Sequence, residues 1–248
     1  MCDSCGCGVT VRSDNSATAQ PMDEAGRSAD GAVQMLRGLL AENDRLAAHN
    51  RHHFAKNGVV AINLMSSPGA GKTALLEATI DALGGRLKMA VIEGDLETEN
   101  DARRIRAKGV AAIQITTGGA CHLDAKMVHH ALHDLDLTEV DILFVENVGN
   151  LVCPATYDLG CHQNVVLLST TEGDDKPAKY PVIFRTADLL LITKTDLLPY
   201  LEDFDPRRAE KYFRHLANPA PLLETSIKDP ATLTPWVDWL LAQTGISP

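Results

Sequence analysis

The fold of this 248-residue chain is decided by the stretch Ser66–Thr73, which reads Ser-Ser-Pro-Gly-Ala-Gly-Lys-Thr. An apolar run at 59–65 precedes it and a helix-like stretch at 74–83 follows it. A strand, a glycine-rich turn, Lys-Thr and a helix form the context that a phosphate-binding loop requires. Glycines let successive backbone N–H groups turn toward anionic oxygens, and the helix start adds unpaired N–H groups. The residues predicted to bind the phosphates are Gly69, Ala70, Gly71, Lys72, Thr73 and Ala74.

Within this loop, Lys72 is expected to reach the β- and γ-phosphates, and the Thr73 hydroxyl is expected to hold Mg²⁺. One position departs from the usual G-x-x-x-x-G-K-[ST] pattern, because its first glycine is Ser66 here. Gly69 and Gly71 keep the turn possible, so the segment is interpreted as a variant phosphate-binding loop. The alternative is a glycine-rich turn in which Gly-Lys-Thr occurs by chance. The strand-like run before the loop and the helix-like stretch after it argue against this alternative.

Composition narrows the class of protein. A hydrophobic content of 45% is enough for a globular core, and a net charge of −10 argues against a general nucleic-acid binder. No apolar stretch approaches the roughly 20 residues of a membrane span, so no membrane partner is predicted. The first residues contain neither a basic region nor an apolar segment, so a cytoplasmic location is expected. In that compartment the six cysteines are metal ligands or thiols rather than disulfides.

Three regions follow one another along the chain. Residues 1–8 are predicted to be a cysteine metal-binding motif, residues 9–30 a flexible linker, and residues 31–248 a P-loop domain that begins with a helix at about 32–53. From residue 57 onward, apolar strand-like runs alternate with helical stretches. This order predicts an α/β fold with a doubly wound, mostly parallel sheet and helices on both faces. The loops at the carboxyl ends of the strands are expected to form the site.

Two strand ends are predicted to complete the phosphate site. The second strand ends at Asp95, which either binds Mg²⁺ or acts as a helix N-cap. The fourth ends in the segment 146–150, where Gly149 is suited to place a backbone N–H near the γ-phosphate.

The sixth strand ends in Thr-Lys-Thr-Asp at 193–196, which resembles the guanine-specificity motif of GTPases. The Asp196 carboxylate would accept hydrogen bonds from N1 and N2 of guanine, a pair of donors that adenine lacks. The Lys194 stem would lie over the purine ring, and the segment Glu224-Thr225-Ser226, with Glu224 first, is predicted to be a second contact to the base. Threonine at 193 replaces the usual asparagine of the motif.

Cysteine and histidine are concentrated in two further places. Cys2, Cys5 and Cys7 could surround one soft metal ion together with the α-amine, as square-planar Ni²⁺ or tetrahedral Zn²⁺. The alternative is an unstructured, redox-labile tail.

Cys121 and His122 follow the third strand, at the predicted start of a helix, and Cys153 follows the fourth. With one helix histidine, His129 or His130, they are predicted to share a metal ion. A lone cysteine is more often a buried apolar residue. The pair Cys161-His162 is assigned no role.

Together these segments resemble the hydrogenase nickel-incorporation GTPase family, HypB. The resemblance covers roughly residues 30–245 and the first seven residues. It rests on Cys-x-x-Cys-Gly-Cys, Ser-Ser-Pro-Gly-Ala-Gly-Lys-Thr, Gly-Ala-Cys-His-Leu-Asp-Ala, Glu-Asn-Val-Gly-Asn-Leu-Val-Cys-Pro and Thr-Glu-Gly-Asp-Asp-Lys-Pro.

The resemblance implies delivery of nickel to the large-subunit precursor of [NiFe]-hydrogenase, with GTP bound, hydrolysed to GDP and used to form a homodimer. An accessory nickel chaperone is the other implied partner. The implied catalytic residues are Lys72, Thr73 and Asp95, the last two also as Mg²⁺ ligands. The implied Ni²⁺ or Zn²⁺ ligands are Cys2, Cys5 and Cys7 at the N-terminus, and Cys121, His122, His130 and Cys153 at the dimer interface.

This sequence lacks the histidine-rich stretch that many family members carry after the cysteine cluster, which argues against nickel storage. Two alternatives remain open. One is a P-loop ATPase or kinase that acts on a small molecule, and the other is a non-enzymatic metal buffer.

Overall fold

The computed structural model describes residues 25–97 and 99–245. The chain divides after Gly38 into two units, and the description below concerns the second, from Leu39 onward. The first helix, α1, begins at Ala25, inside the segment predicted to be linker. The predicted linker otherwise, and the cysteines at positions 2, 5 and 7, lie outside the described residues. None of the described helices has the length and apolarity needed to cross a membrane.

Eight α-helices and seven strands alternate along the described residues. In chain order they are α1 (Ala25–Asn57), β1 (Val60–Met65), α2 (Lys72–Leu83), β2 (Met89–Asp95), α3 (Asn100–Ala107), β3 (Ala111–Thr116), α4 (Ala125–Leu132), β4 (Ile142–Glu146), β5 (Gln163–Ser169), α5 (Lys176–Lys179), α6 (Pro181–Arg185), β6 (Leu189–Thr193), α7 (Pro206–Arg214), β7 (Leu222–Glu224) and α8 (Pro230–Thr244). Short 3₁₀ helices lie at Cys153–Thr156 and Thr195–Tyr200.

The seven strands form one parallel sheet in the order β3-β2-β4-β1-β5-β6-β7. The predicted doubly wound sheet is therefore confirmed, and it is parallel throughout. Because β1 lies at the centre, the loop that follows it is flanked by the carboxyl ends of β4 and β5. The apolar strand-like runs after residue 57 form these seven strands.

Side chains alternate between the two faces of each strand, and both faces are covered by helices. On β1, Ile62 and Leu64 pack into an apolar cluster with residues of α2, α3 and α8, including the buried Trp236. Ala61 points to the opposite face, where it packs in a second cluster with Phe54 of α1 and residues of α4. A third cluster, also opposite α2, contains residues of α6 and α7. This two-sided burial explains why the strands read as continuous apolar runs.

Candidate functional site

The loop between β1 and α2 has the geometry of a phosphate cradle. Gly69 and Gly71 adopt φ of +73° and +100°, a region that side chains other than glycine rarely occupy. Gly71 is the N-cap of α2, and no side chain caps the helix. The first intrahelical bond runs from the Leu75 amide to the Gly71 carbonyl at 2.8 Å. The amides of the first helical turn are therefore available to an anion.

Ser66, which replaces the first glycine of the loop pattern, is buried and contacts the loop lysine. The Lys72 ammonium donates to the Ser66 hydroxyl at 3.2 Å and lies 3.8 Å from Glu146 Oε1. Lys72 is itself only 8% exposed. A buried ammonium held beside the cradle is placed to bind phosphate oxygens, and the serine variant supports this position.

A group of three carboxylates lies next to Thr73. Parallel pairing places Glu93 of β2 directly beside Glu146 of β4, and Asp101 of α3 joins them with ligand atoms within 4.8 Å of one another. The Thr73 hydroxyl donates to Glu146 Oε1 at 3.0 Å. A hydroxyl surrounded by carboxylate oxygens is a donor set that suits Mg²⁺. The residues described at this edge therefore fit the predicted magnesium ion.

Burial and the close carboxylates perturb this group strongly. Burial, and next the charge of Glu146, raise the pKa of Glu93 to about 11. Burial also raises the pKa of Glu146, although Lys72 opposes the shift. Two like charges in register on adjacent strands cannot both ionise without a cation. Glu93 and Glu146 were not predicted from the sequence to bind a metal ion. Their positions at the ends of adjacent strands were the feature that could have indicated it.

Asp95, the predicted magnesium ligand, lies at the rim of the same cavity. Its carboxylate accepts from the Leu96 amide at 2.6 Å. The alternative role, N-cap of the next helix, is wrong because Glu99 occupies the cap of α3. Thr73 is in direct contact with Glu146, whereas Asp95 lines the same cavity and is not one of the three clustered carboxylates.

The phosphate cavity has a volume of about 360 Å³ and lies between the loop, the end of β2 and the segment after β4. Gly149 forms part of its wall. A Cβ atom at Gly149 would lie 2.8 Å from Pro68 Cα and 2.9 Å from Pro68 N. Only glycine allows the segment after β4 to approach the phosphate loop this closely.

A second cavity of about 250 Å³, called the base cavity below, adjoins the first. Gly71 and Ala74 line both cavities. The predicted guanine residues Lys194 and Asp196 line it, together with Thr225 and Lys228. A phosphate cradle with an adjoining smaller cavity is the shape that a nucleotide requires. The structure therefore brings the predicted phosphate and base residues into one continuous groove.

Asp196 is held in position as a hydrogen-bond acceptor. The Ser226 hydroxyl donates to Asp196 Oδ1 at 2.6 Å, and the Lys228 ammonium lies 3.2 Å from Oδ2. The Ser226 hydrogen bond and, after it, Lys228 lower the pKa of Asp196, so the carboxylate is charged at neutral pH. A charged acceptor is what recognition of two adjacent N–H donors needs.

Thr193, the unusual residue of the base motif, ties that motif to the phosphate loop. Its hydroxyl donates to the Ala70 carbonyl at 2.8 Å. Lys194, at φ +60°, donates through its ammonium to the Gly69 carbonyl at 2.7 Å. Threonine at this position thus provides a direct link between the two parts of the groove.

Glu224, predicted to contact the base, does not line either cavity. It is the last residue of β7 and is exposed, whereas the next residue, Thr225, is buried and lines the base cavity. Successive side chains of an extended segment point in opposite directions, so within the predicted segment Thr225 rather than Glu224 lines the cavity.

The loops after β3 and β4 bring together two thiols and one imidazole, called the metal group below. Cys121, His122 and Cys153 have ligand atoms within 4.8 Å of one another, and the two sulfurs lie 2.8 Å apart. The His122 ring stacks on Tyr157 with centroids 4.0 Å apart. Burial lowers the pKa of His122 despite Asp124, so the imidazole is neutral and able to bind a metal ion at neutral pH. Tyr157 was not singled out from the sequence, because no local pattern marks a ring-orienting residue.

His130, the fourth predicted ligand, is not part of this group. The prediction placed His122 on the helix that carries His130. In the structure Asp124 caps α4, accepting from the Met127 amide at 2.7 Å, and the helix begins at Ala125. His122 therefore lies in the preceding loop, and the helical spacing between the two histidines does not apply. His130 is exposed on α4.

Cys161 and His162, left without a role by the sequence, serve the packing of β1 against β5. Cys161 packs against the apolar cluster around Phe54, and burial raises the pKa of its thiol. His162 Nδ1 accepts from the Ala61 amide at 3.0 Å. The pair therefore has a structural role, and its thiol is protonated at neutral pH.

Comparison with known proteins supports the interpretation of the groove as a nucleotide-binding site. The CobW/HypB/UreG nucleotide-binding domain matches residues 60–224. The fold and the groove thus define a P-loop nucleotide-binding protein of this class.

The curated relatives narrow the class further. Hydrogenase maturation factor HypB of Azotobacter vinelandii is 50% identical over 89% of this chain and 72% of its own length. HypB of Escherichia coli (strain K12) is 47% identical over 89% of the chain and 77% of its own. The crystal structure of HypB from Helicobacter pylori in complex with nickel is 44% identical, with a TM-score of 0.79, and covers 82% of this chain and 95% of its own. The chain belongs to the HypB family of hydrogenase maturation factors.

Proposed function

We propose that the protein binds and hydrolyses GTP and uses the nucleotide cycle to control a nickel ion held by Cys121, His122 and Cys153. The proposal includes delivery of nickel to a hydrogenase large-subunit precursor, receipt of nickel from an accessory chaperone and formation of a homodimer with GTP. The nickel-bound structure of the Helicobacter pylori relative supports the choice of metal. Zn²⁺ is the competing ion, because a thiolate and imidazole donor set accepts both.

One observation carries this proposal: a single segment after β4 contributes to both sites. Glu146 contacts Thr73, Gly149 lies against Pro68 of the phosphate loop, and Cys153 belongs to the metal group. A displacement of this segment by the γ-phosphate would therefore move Cys153 relative to Cys121.

The loop after β3 supplies a second connection. The Thr117 amide donates to the Asp95 carbonyl at 2.9 Å, and the Leu123 amide donates to Asn147 Oδ1 at 3.0 Å. Cys121 and His122 lie between these two anchors. Both halves of the metal group are thus bonded to loops that border the phosphate cavity.

In the proposed reaction the chain's own residues position and neutralise charge. Lys72 and the amides of the first turn of α2 would bind the β- and γ-phosphates, and Thr73 with Glu146 would hold Mg²⁺. When bound, Mg²⁺ would supply charge neutralisation at the phosphates. Phosphoryl transfer needs little covalent help from the protein, so these electrostatic contacts account for most of the expected catalysis.

We expect the Asp196→Asn variant to lose affinity for GTP by about 10- to 100-fold, because a hydrogen bond to a charged group contributes about 1.5–3 kcal/mol. Affinity for ATP should change little. Competition of unlabelled GTP and ATP against a fluorescent GDP measures both. Asp203→Asn, an exposed aspartate outside the groove, is the matched control. Equal displacement by ATP and GTP in the unmodified protein would favour the ATPase or kinase alternative.

The coupling of the two sites is tested by nickel titration in the presence of GDP and of a non-hydrolysable GTP analogue. We expect the two dissociation constants to differ by about 5- to 150-fold, the usual range of coupling between sites. Linkage requires that nickel change the affinity for the analogue relative to GDP by the same factor. Identical nickel affinities in both nucleotide states would remove the switch from the proposal.

A further inference from the structure

Four histidines outside both sites lie on two helices. His49 and His53 are on α1, His129 is on α4, and His133 is the C-cap of α4. Within each pair the residues are four apart, so each helix presents both imidazoles on one face. Two histidines in an i, i+4 arrangement on a helix are a known way of chelating zinc.

The rings of the two helices meet around His129. Its centroid lies 4.9 Å from that of His49 and 4.9 Å from that of His133. The Nε2 atoms of His129 and His133 are 3.4 Å apart. Two nitrogens bound to one tetrahedral ion at about 2.0–2.1 Å would be separated by about 3.3 Å. The observed separation therefore matches two ligands of a shared ion.

The surroundings of these rings leave room for an ion. His49 and His133 are exposed, so the cluster is open to solvent. Nδ1 of His129 is buried, so this ring would bind an ion through Nε2, the nitrogen that contacts His133.

We propose that His49, His53, His129 and His133 form an additional metal site that binds a divalent ion of the zinc and nickel type. His129 and His133 already have the required nitrogen separation, and rotation of the His49 and His53 side chains on α1 completes the set. An all-imidazole donor set suits such ions and contains no thiolate, unlike the Cys121 group. This site is independent of the proposed nucleotide cycle.

The test uses a full-length parent variant in which the candidate thiol ligands are replaced by serine. The replaced residues are Cys2, Cys5, Cys7, Cys121 and Cys153. Cobalt(II) is titrated into this variant as a spectroscopic substitute for zinc. We expect binding of a cobalt ion with a tetrahedral spectrum that has no thiolate charge-transfer band. Zinc added afterwards should displace it.

Substitutions in the cluster then locate the ion. In the parent variant, His129→Gln combined with His133→Gln should abolish the tetrahedral cobalt spectrum. The single change His49→Gln should weaken binding at least tenfold, because losing even a residue that orients a metal ligand typically costs about 10- to 100-fold. His215→Gln, an exposed histidine on a different helix end, is the control and should bind cobalt like the parent.

Circular dichroism and GDP binding verify folding, and His49→Gln serves alone if the double variant misfolds. The proposal is overturned if the parent variant binds no cobalt, or if the cluster variants bind as tightly as His215→Gln. Either result would mean that the 3.4 Å contact is a hydrogen bond between two imidazoles.

Discussion

Replacement of Lys72 by alanine is expected to reduce GTP hydrolysis by about 100- to 1000-fold, because removing one preorganised group that stabilises transition-state charge costs about this factor. Lys72 is the buried ammonium beside Ser66 and Glu146. Its loss removes the positive charge that binds the transferred phosphate. It also leaves the buried Glu146 carboxylate without this ion pair, which favours protonation of the residue that contacts Thr73. Phosphate release under GTP saturation measures the effect.

The control for this experiment is Lys88→Ala. Lys88 is exposed and pairs with the exposed Glu139 at 2.9 Å, so its removal should leave hydrolysis unchanged. Nickel affinity is measured on both variants in the presence of GTP. If Lys72→Ala altered neither hydrolysis nor the response of nickel binding to GTP, the phosphate loop would not act as proposed. The non-enzymatic metal buffer would then be the better description.

The second large effect is expected from Cys121→Ser combined with Cys153→Ser. In a protein whose Cys2, Cys5 and Cys7 are already serine, these changes should weaken nickel binding at this site by about 100-fold or more, because they remove two of the three candidate ligands, and losing even a residue that orients a ligand typically costs about 10- to 100-fold. His122 alone would remain, and a single imidazole is a weak ligand. Chelator competition gives the affinity, and loss of the thiolate-to-nickel absorption band identifies the site affected.

Cys161→Ala is the matched control, because Cys161 is packed in the core and takes no part in the metal group. This variant should keep the absorption band and the nickel affinity. Retention of both by the Cys121 and Cys153 double variant would contradict the assignment of the site. GDP affinity should be unchanged in the double variant, which separates loss of metal from loss of fold.

Much of the nucleotide site was predictable because its signals are local. The loop Ser66–Thr73 carries its own turn residues, and the strand before it reads as an apolar run. Lys194 and Asp196 follow directly on β6 and line the base cavity as predicted. Within the predicted segment Glu224-Thr225-Ser226, only the structure shows that Thr225 lines the cavity, since a run of sequence does not state where a strand ends and which side chain then turns inward.

The metal predictions show where local reasoning stops. Cys121, His122 and Cys153 were grouped from strand ends, and the structure brings their ligand atoms together within one chain. His130 was grouped with them from helical periodicity, which does not apply because the Asp124 cap starts α4 after His122. As a ligand at a dimer interface, His130 stays a prediction. The start of a helix depends on which side chain accepts the first free amides, and several residues in this segment were chemically able to do so.

By itself, the sequence determined the succession of strands and helices and the phosphate loop, because each is written in neighbouring residues. Only the tertiary structure decided that Glu93 and Glu146 stand side by side, and that the histidines of α1 and α4 meet. The strand order β3-β2-β4-β1 places distant segments in contact, and burial there changes the charge of the groups that meet. Proximity and desolvation are properties of the packed chain, so they have no signature in a short stretch of sequence.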